Sequence, residues 1–301
     1  MVAVWKRMRR ERQIWLLCIP MIIWVLIFSY FPMYGLIISF EKYIPGKSMF
    51  GNWVGFDNFV RFFHEPDFLQ ILRNTLAISG LNLIFGFPAP LILALLLNEV
   101  KNSAFKKTIQ SLSYVPYFIS WVVVANILFM LLGNDGILND ILMKIGLIKE
   151  PMEFLTNGKY FWTILISSNI WKDMGFSAII YLSAIAGIDK ELYEAGRVDG
   201  LGRFGLIRHI TLPGIRSTAV LLFILAIGNI LNAGFEQQLL IGNPLTRDHY
   251  EVIDTYVYRF GVQLGNYSYG TAVGLMKSFI GLTLVVIANR LSRKYMQSSI
   301  L

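Results

Sequence analysis

Residues 14–40 run for 27 positions without a single Asp, Glu, Lys or Arg. As a helix this stretch rises about 40 Å, more than the ~30 Å of hydrocarbon in a bilayer. Runs at 74–97 and 108–133 are equally free of charge. A fourth at 161–182 is interrupted by Lys172 and Asp173, and a fifth at 217–235 continues past Glu236 toward Ile241. The sixth, 271–291, carries Lys277 and closes at Arg290. These runs predict an all-α membrane protein with six transmembrane helices.

Composition agrees, because only 15% of the chain is charged and 55% is hydrophobic. The mean hydropathy is +0.56. A soluble domain is ordinarily about 25% charged, since its surface must be wetted. The first run follows Lys6, Arg7, Arg9, Arg10 and Arg12 as a secretory signal would. It is far longer than a signal's apolar core of about 7–15 residues and ends without a cleavage site, which predicts a retained helix. The single Cys18 forms no internal disulfide and supports no thiolate metal cluster or redox pair.

Lys and Arg are retained in cytoplasmic loops during insertion. With the N-terminus inside, sixteen of the 27 basic residues fall on the inner side, nine on the outer side, and Lys172 and Lys277 within spans. Both termini are therefore expected in the cytoplasm, as a basic segment 1–13 and a tail 291–301. The net charge of +8 is accounted for by this topology, and no basic face remains to argue for nucleic acid.

The loop between the fourth and fifth runs carries the most information. Asp189 is placed to cap a short helix, and Glu191 sits near that helix's positive end. Leu192, Ala195, Gly196 and Asp199 follow at i, i+3, i+4 and i+7, a stripe rich in small residues that permits close approach of another backbone. Gly200 and Gly202 are expected to end it. On pattern alone, a surface helix joining two spans is an equal reading.

Glu194, Ala195, Gly196, Gly200, Ile210, Leu212 and Pro213 stand at the spacing Glu-Ala-Ala, three residues, Gly, nine residues, Ile-x-Leu-Pro. That run resembles the cytoplasmic signature of permease subunits of binding-protein-dependent ABC importers, with Gly196 in place of the commoner Ala. Val54 to Phe59 and Leu72 to Leu76 resemble the sugar-permease branch. Tyr30 to Gly35 resembles the subgroup that imports oligosaccharides derived from complex polysaccharides, including uronate-containing ones.

The resemblance implies a type-1 ABC importer permease core at 72–290, a coupling loop at about 184–216, and one extra N-terminal helix at 14–40. It also implies a bacterial plasma (inner) membrane, a second permease subunit, two ATPase subunits that hold ATP and Mg, and an external solute-binding protein. The chain has no GxxxxGK[ST] phosphate loop, so the motor must act in trans. No cofactor and no catalysis are expected of this chain. Glu194 is the expected acceptor for a basic group of the ATPase. Pro213 is expected to restrict Leu212 and so fix the turn into the fifth span.

Polar groups in the spans mark a pathway, because charge facing lipid is expensive. Asn169, Trp171, Lys172, Asp173, Asn229, Asn232, Glu236 and Lys277 qualify. Asn229 and Asn232, three apart, are expected on one helix face where they could meet sugar hydroxyls, and Trp171 could stack on a pyranose ring. Lys172 and Asp173 lie about 100° apart around a helix and are not expected to share one narrow pathway. Interhelical ties explain such residues equally well. An ion-coupled secondary transporter is the alternative; the absence of a visible repeat counts against it. His64, His209 and His249 fall outside the spans and form no catalytic motif.

Overall fold

The computed structural model describes residues 12–47 and 51–296. Lys6, Arg7, Arg9 and Arg10 of the basic segment, and residues 297–301 of the tail, lie outside the described residues. Those described are helical, with no strand among them beyond an isolated bridge between Glu41 and Trp53. Two compact units result, one from 1–64 with 257–276 and one from 65–256 with 277–301.

In the first unit, Arg12–Phe40 is a continuous apolar helix of 29 residues. None of Arg12–Val25 is buried, and apolar side chains cover it all round, the composition of a helix surrounded by lipid. Its end is tied down by polar contacts. Val54 and Gly55 donate their amides to the Phe40 carbonyl at 2.9 and 3.0 Å, and Asn58 Nδ2 donates to the carbonyls of Ser39 and Glu41. Arg61 lies over the ring of Tyr269, 4.6 Å from its centroid.

In the second unit, the helix Gly158–Ala186 is the post around which the core forms. Phe161, Leu165 and Ile166 near its start pack with Ile78, Ala125, Ala233, Ile241 and Val252. Ala178, Tyr181 and Ile185 near its end pack with Ala94 and Ile215. At Gly175, an added Cβ would stand 1.9 Å from the Ser113 carbonyl oxygen, so only glycine permits this crossing.

Phe68–Glu99 is a second apolar helix of 32 residues, Trp121–Lys144 and Tyr267–Lys294 are two more, and Arg203–Gly214 with Arg216–Gly228 forms a pair bent by 63°. Within Phe68–Glu99, Pro88 and Pro90 supply no amide hydrogen. A wide turn at Asn82–Gly86 absorbs the change, with the Phe87 amide reaching back five residues to the Asn82 carbonyl.

Two expected spans differ from the structure. The run 108–133 is not one helix: Ser103–Tyr114 passes through a tight turn at Val115–Phe118, Ile119 is extended, and Ser120 caps a new helix at Trp121. Pro116 lies in that turn, and the apolar composition continues unbroken through it, so counting charges could not reveal the break. The run 217–235 ends as a helix at Gly228, and Glu236–Ile241 is separate. There an added Cβ at Gly228 would stand 2.1 Å from Val285. The sixth helix is longer than the expected 271–291 and runs over Tyr267–Met296.

The break at Ile119 frees carbonyls within the membrane part of the chain, and Lys172 takes them. Its ammonium donates to the carbonyls of Pro116, Tyr117 and Ile119 at 3.3, 2.6 and 2.7 Å. The rings of Tyr117 and Trp121 lie 5.5 and 5.7 Å away, and Tyr117 stacks on Phe176 at 4.0 Å. A cation at a helix C-terminus also meets the negative end of the dipole.

On the face expected to be external, Asn74 Nδ2 donates to the carbonyls of Asp248 and Glu251, each at 3.0 Å. Arg247 pairs with Glu251 at 2.7 Å and with Asp67 at 3.4 Å. The hydrogen bond to Glu251 raises the Arg247 guanidinium above its ordinary value, so it stays charged.

Replacing Lys172 by Met keeps the apolar stem and strands the carbonyls of Tyr117 and Ile119, while Pro116 keeps the Ile119 amide. The variant is expected to lose about 2 kcal/mol of stability, by the usual worth of charged hydrogen bonds. Thermal unfolding in detergent measures it, and an unchanged midpoint would show that the carbonyls find other donors.

Candidate functional site

The loop after the long helix folds as a short helix, Lys190–Val198, closed at both ends. Asp189 Oδ1 accepts the Glu191 amide at 3.0 Å. At the other end Gly200 has φ +81°. The Leu201 amide donates to the Gly196 carbonyl at 2.9 Å and the Gly200 amide to Arg197 at 3.1 Å. These two bonds are the Schellman closure, and its left-handed residue is why glycine stands at 200.

Gly196 is buried inside the loop, where an added Cβ would meet Ile210 Cδ1 at 2.8 Å and Leu206 Cδ2 at 2.9 Å. The expectation that this small residue admits a partner's backbone is therefore corrected: Gly196 and Ile210 pack against each other, and Tyr193 Oη meets Thr211 Oγ1 at 3.0 Å. The expected effect of Pro213 is corrected too. Leu212 is helical, at φ −62° and ψ −45°, and the bend falls at Ile215, at φ −97° and ψ 5°. Pro213 sits inside one helical turn, Leu212–Gly214, where the lost amide costs little.

The helix Lys190–Val198 has two free faces. Glu191, Leu192, Ala195, Val198 and Asp199 point outward, with Leu192 54% and Val198 88% exposed. Lys190, Tyr193, Glu194 and Arg197 line a polar cavity of about 710 Å³, shared with Glu99, Lys101 and Arg203. Glu194 thus looks toward the chain's own cations.

A second cavity, of about 360 Å³, lies among the helices Phe68–Glu99, Gly158–Ala186 and Arg216–Gly228. Asn169, Asp173, Asn229 and Asn232 line it. The long helix turns its two central charges apart: Asp173 lines this cavity, whereas Lys172, 7% exposed, is turned to the broken helix. Lys172 is thereby removed from the candidate pathway groups.

Asn229 and Asn232 do meet, but not on a helix face. Asn229 ends the helix at Gly228, Asn232 follows in the turn, and Asn232 Nδ2 donates to Asn229 Oδ1 at 2.7 Å. Both also border a smaller cavity of about 240 Å³ that includes Lys277. The Lys277 ammonium is held by Asp254. Trp171 and Glu236 are exposed and line neither cavity.

Sequence reasoning passed over Ser79, Asn82, Ser177 and Tyr181, which line the larger cavity. Asn82, an amide inside a charge-free run, was detectable by the rule that flagged Asn169. The Asn169 amide links Gln237 to Asn82 through two long bonds, each of 3.5 Å. Among the described residues, no group of three or more His, Cys, Asp or Glu is placed to hold a metal ion.

Residues 86–297 match the family described as "Binding-protein-dependent transport system inner membrane component". The chain belongs to this family. It is a permease subunit of an ABC importer, resident in the inner membrane. It is 46% identical over 295 residues to "Protein LplB" of Bacillus subtilis (strain 168), covering 97% of this chain and 92% of that one. It is 44% identical over 293 residues to the "Polygalacturonan/rhamnogalacturonan transport system permease protein YteP" of the same organism, covering 97% and 91%. Among solved structures it is similar to a chain of a bacterial alginate ABC transporter in complex with an alginate pentasaccharide-bound periplasmic protein. That likeness has a TM-score of 0.89 and 41% identity, covering 98% and 99% of the two chains.

Changing Gly200 to Val forces a branched side chain into the left-handed region at a cost of about 1–2 kcal/mol. Limited trypsin cleavage at Arg197 and Arg203 of the solubilised protein should accelerate in Gly200→Val and much less in Gly200→Asn. Equal protection in both variants would show that the closure does not hold the loop.

Proposed function

We propose that this permease passes an oligosaccharide from an external binding protein to the cytoplasm, beside a second, different permease chain and above two ATPase subunits. The observation that carries the reading is full-length similarity, over 97% or more of the chain, to permeases whose names or complexes specify polysaccharide fragments. ATP and Mg belong to the ATPases in this reading, and the chain itself is non-catalytic and binds no cofactor.

Six spans with both termini in the cytoplasm fit the same scheme. The long helix Gly158–Ala186 rises about 43 Å, and its central charges turn to a protein helix and to a cavity. Counted with the bent pair and the four apolar helices, it makes six. The cavity of Asn169, Asp173, Asn229 and Asn232 is this chain's share of the pathway.

The outward face of Glu191, Leu192, Ala195, Val198 and Asp199 seats in the ATPase. Two exposed aliphatic side chains flanked by carboxylates suit a groove with an apolar floor and basic rim. Glu194 contributes from the edge of that face, within reach of the chain's own Lys190 and Arg197. Motion of the ATPase reaches the spans through the packed loop, Gly196 on Ile210 and Tyr193 on Thr211.

Reconstitution with the co-expressed partners tests this. Ala195→Arg should lower ATP-driven oligosaccharide uptake on the order of tenfold, by a buried charge in the docking groove, while the membrane part stays folded. Uptake that survives ATP depletion under a maintained ion gradient would favour a secondary transporter.

A further inference from the structure

The short helix Lys190–Val198 has a back as well as an outward face. Lys190, Glu194 and Arg197 follow at i, i+4 and i+7, so they share one side, opposite Leu192, Ala195 and Asp199. That side borders the polar cavity of about 710 Å³, whose far wall is the end of the helix Phe68–Glu99 and the loop after it. Four cations, Lys101, Lys190, Arg197 and Arg203, and two carboxylates, Glu99 and Glu194, line this one space. Among the described residues none of the six side chains makes an ion pair or a hydrogen bond. The carboxylates present therefore leave the cations unpaired, and four against two is a surplus of two positive charges. A concave wall of one sign concentrates its potential and draws in a counter-ion.

Guanidinium forks and lysine ammoniums are the groups that complement a phosphate. The cavity also has an apolar wall where it meets the ends of the spans. Ile185 is 5% exposed there, and Ile188 and Leu206 are half-buried. A small soluble anion has no use for such a wall, whereas a headgroup that carries glycerol and acyl chains does. Basic pockets between the cytoplasmic ends of membrane helices take anionic lipid headgroups, and this volume falls within the range of small-molecule sites.

We propose that this cavity is a phosphate site, filled by the headgroup of an anionic phospholipid of the inner leaflet. The phosphate bridges Lys101, beyond the helix Phe68–Glu99, to Lys190 and Arg197 on the back of the short helix, and Arg203 adds a second guanidinium. It ties the loop to the membrane part on the side opposite the face that seats in the ATPase. The inference goes beyond sugar transport and rests on the proposed orientation only for the choice of leaflet.

Acetylation of Lys190 by acetic anhydride, followed by mass spectrometry, tests the site on the complete complex of both permeases and the ATPases in nanodiscs. Lys107, exposed and outside the cavity, reports the general effect of a charged membrane. Replacing part of the phosphatidylcholine, whose choline cancels its phosphate, by phosphatidylglycerol should slow Lys190 about tenfold more than Lys107, because a seated headgroup covers it. Lys101→Gln combined with Arg203→Gln should abolish that excess and leave both rates in pure phosphatidylcholine unchanged, the sign that the loop is still folded. An excess produced by inorganic phosphate in pure phosphatidylcholine, at an ionic strength matched with chloride, and not by phosphatidylglycerol would assign the site to a soluble phosphate and overturn the lipid. No excess with either, or an excess that the double variant keeps, overturns the phosphate site itself. Nanodiscs expose both membrane faces, so none of these results depends on the orientation, and ATP-driven oligosaccharide uptake tests the transport reading separately.

Discussion

One ammonium group organises the membrane part of the second unit. Where the chain breaks at Ile119, the carbonyls of Tyr117 and Ile119 lose their helical partners while that of Pro116 keeps the Ile119 amide, and the bilayer offers no water to replace them. Lys172, on the helix Gly158–Ala186, reaches across and donates to these two and to the Pro116 carbonyl. The break and the lysine therefore depend on each other: an unpaired ammonium inside the membrane and unpaired carbonyls are each expensive, and together they are a tie between two helices. Gly175 lets those helices close up, and Tyr117 on Phe176 fills the contact.

That tie also decides which charge faces the larger cavity. Because Lys172 is drawn to one side of the long helix, Asp173 is left on the other and becomes the charge that faces the cavity. The helix ending at Gly228 then brings Asn229 and Asn232 to the same space through a turn, and the wide turn at Asn82 does likewise from the helix Phe68–Glu99. Asn82, Asn229 and Asn232 thus come from places where regular helix is interrupted, whereas Asn169 and Asp173 stand on the unbroken helix Gly158–Ala186. Interruption is tolerated inside a membrane where the freed backbone is buried in protein or lines a cavity.

The signature loop divides its residues between holding its own shape and presenting a face. Gly196, Gly200 and Ile210 belong to the first group, since they close the helix and pack its underside. Glu191, Ala195 and the exposed Leu192 and Val198 belong to the second.

Sequence alone determined the membrane class, the placement of the loop, the Asp189 cap and the glycine at 200, because these follow from local charge, length and backbone geometry. It also named Asn169, Asp173, Asn229 and Asn232 as polar groups too costly to leave in lipid. Only the tertiary structure decided which way each of them turns. No Asp, Glu, Lys or Arg marks the chain at Ile119 or Gly228, so neither break interrupts a charge-free run, and neighbouring residues on a helix point about 100° apart. The destination of Lys172, the second role of Asn82 and the place of Ser79 and Tyr181 in the larger cavity were set by contacts between segments distant in the chain, which local pattern does not encode.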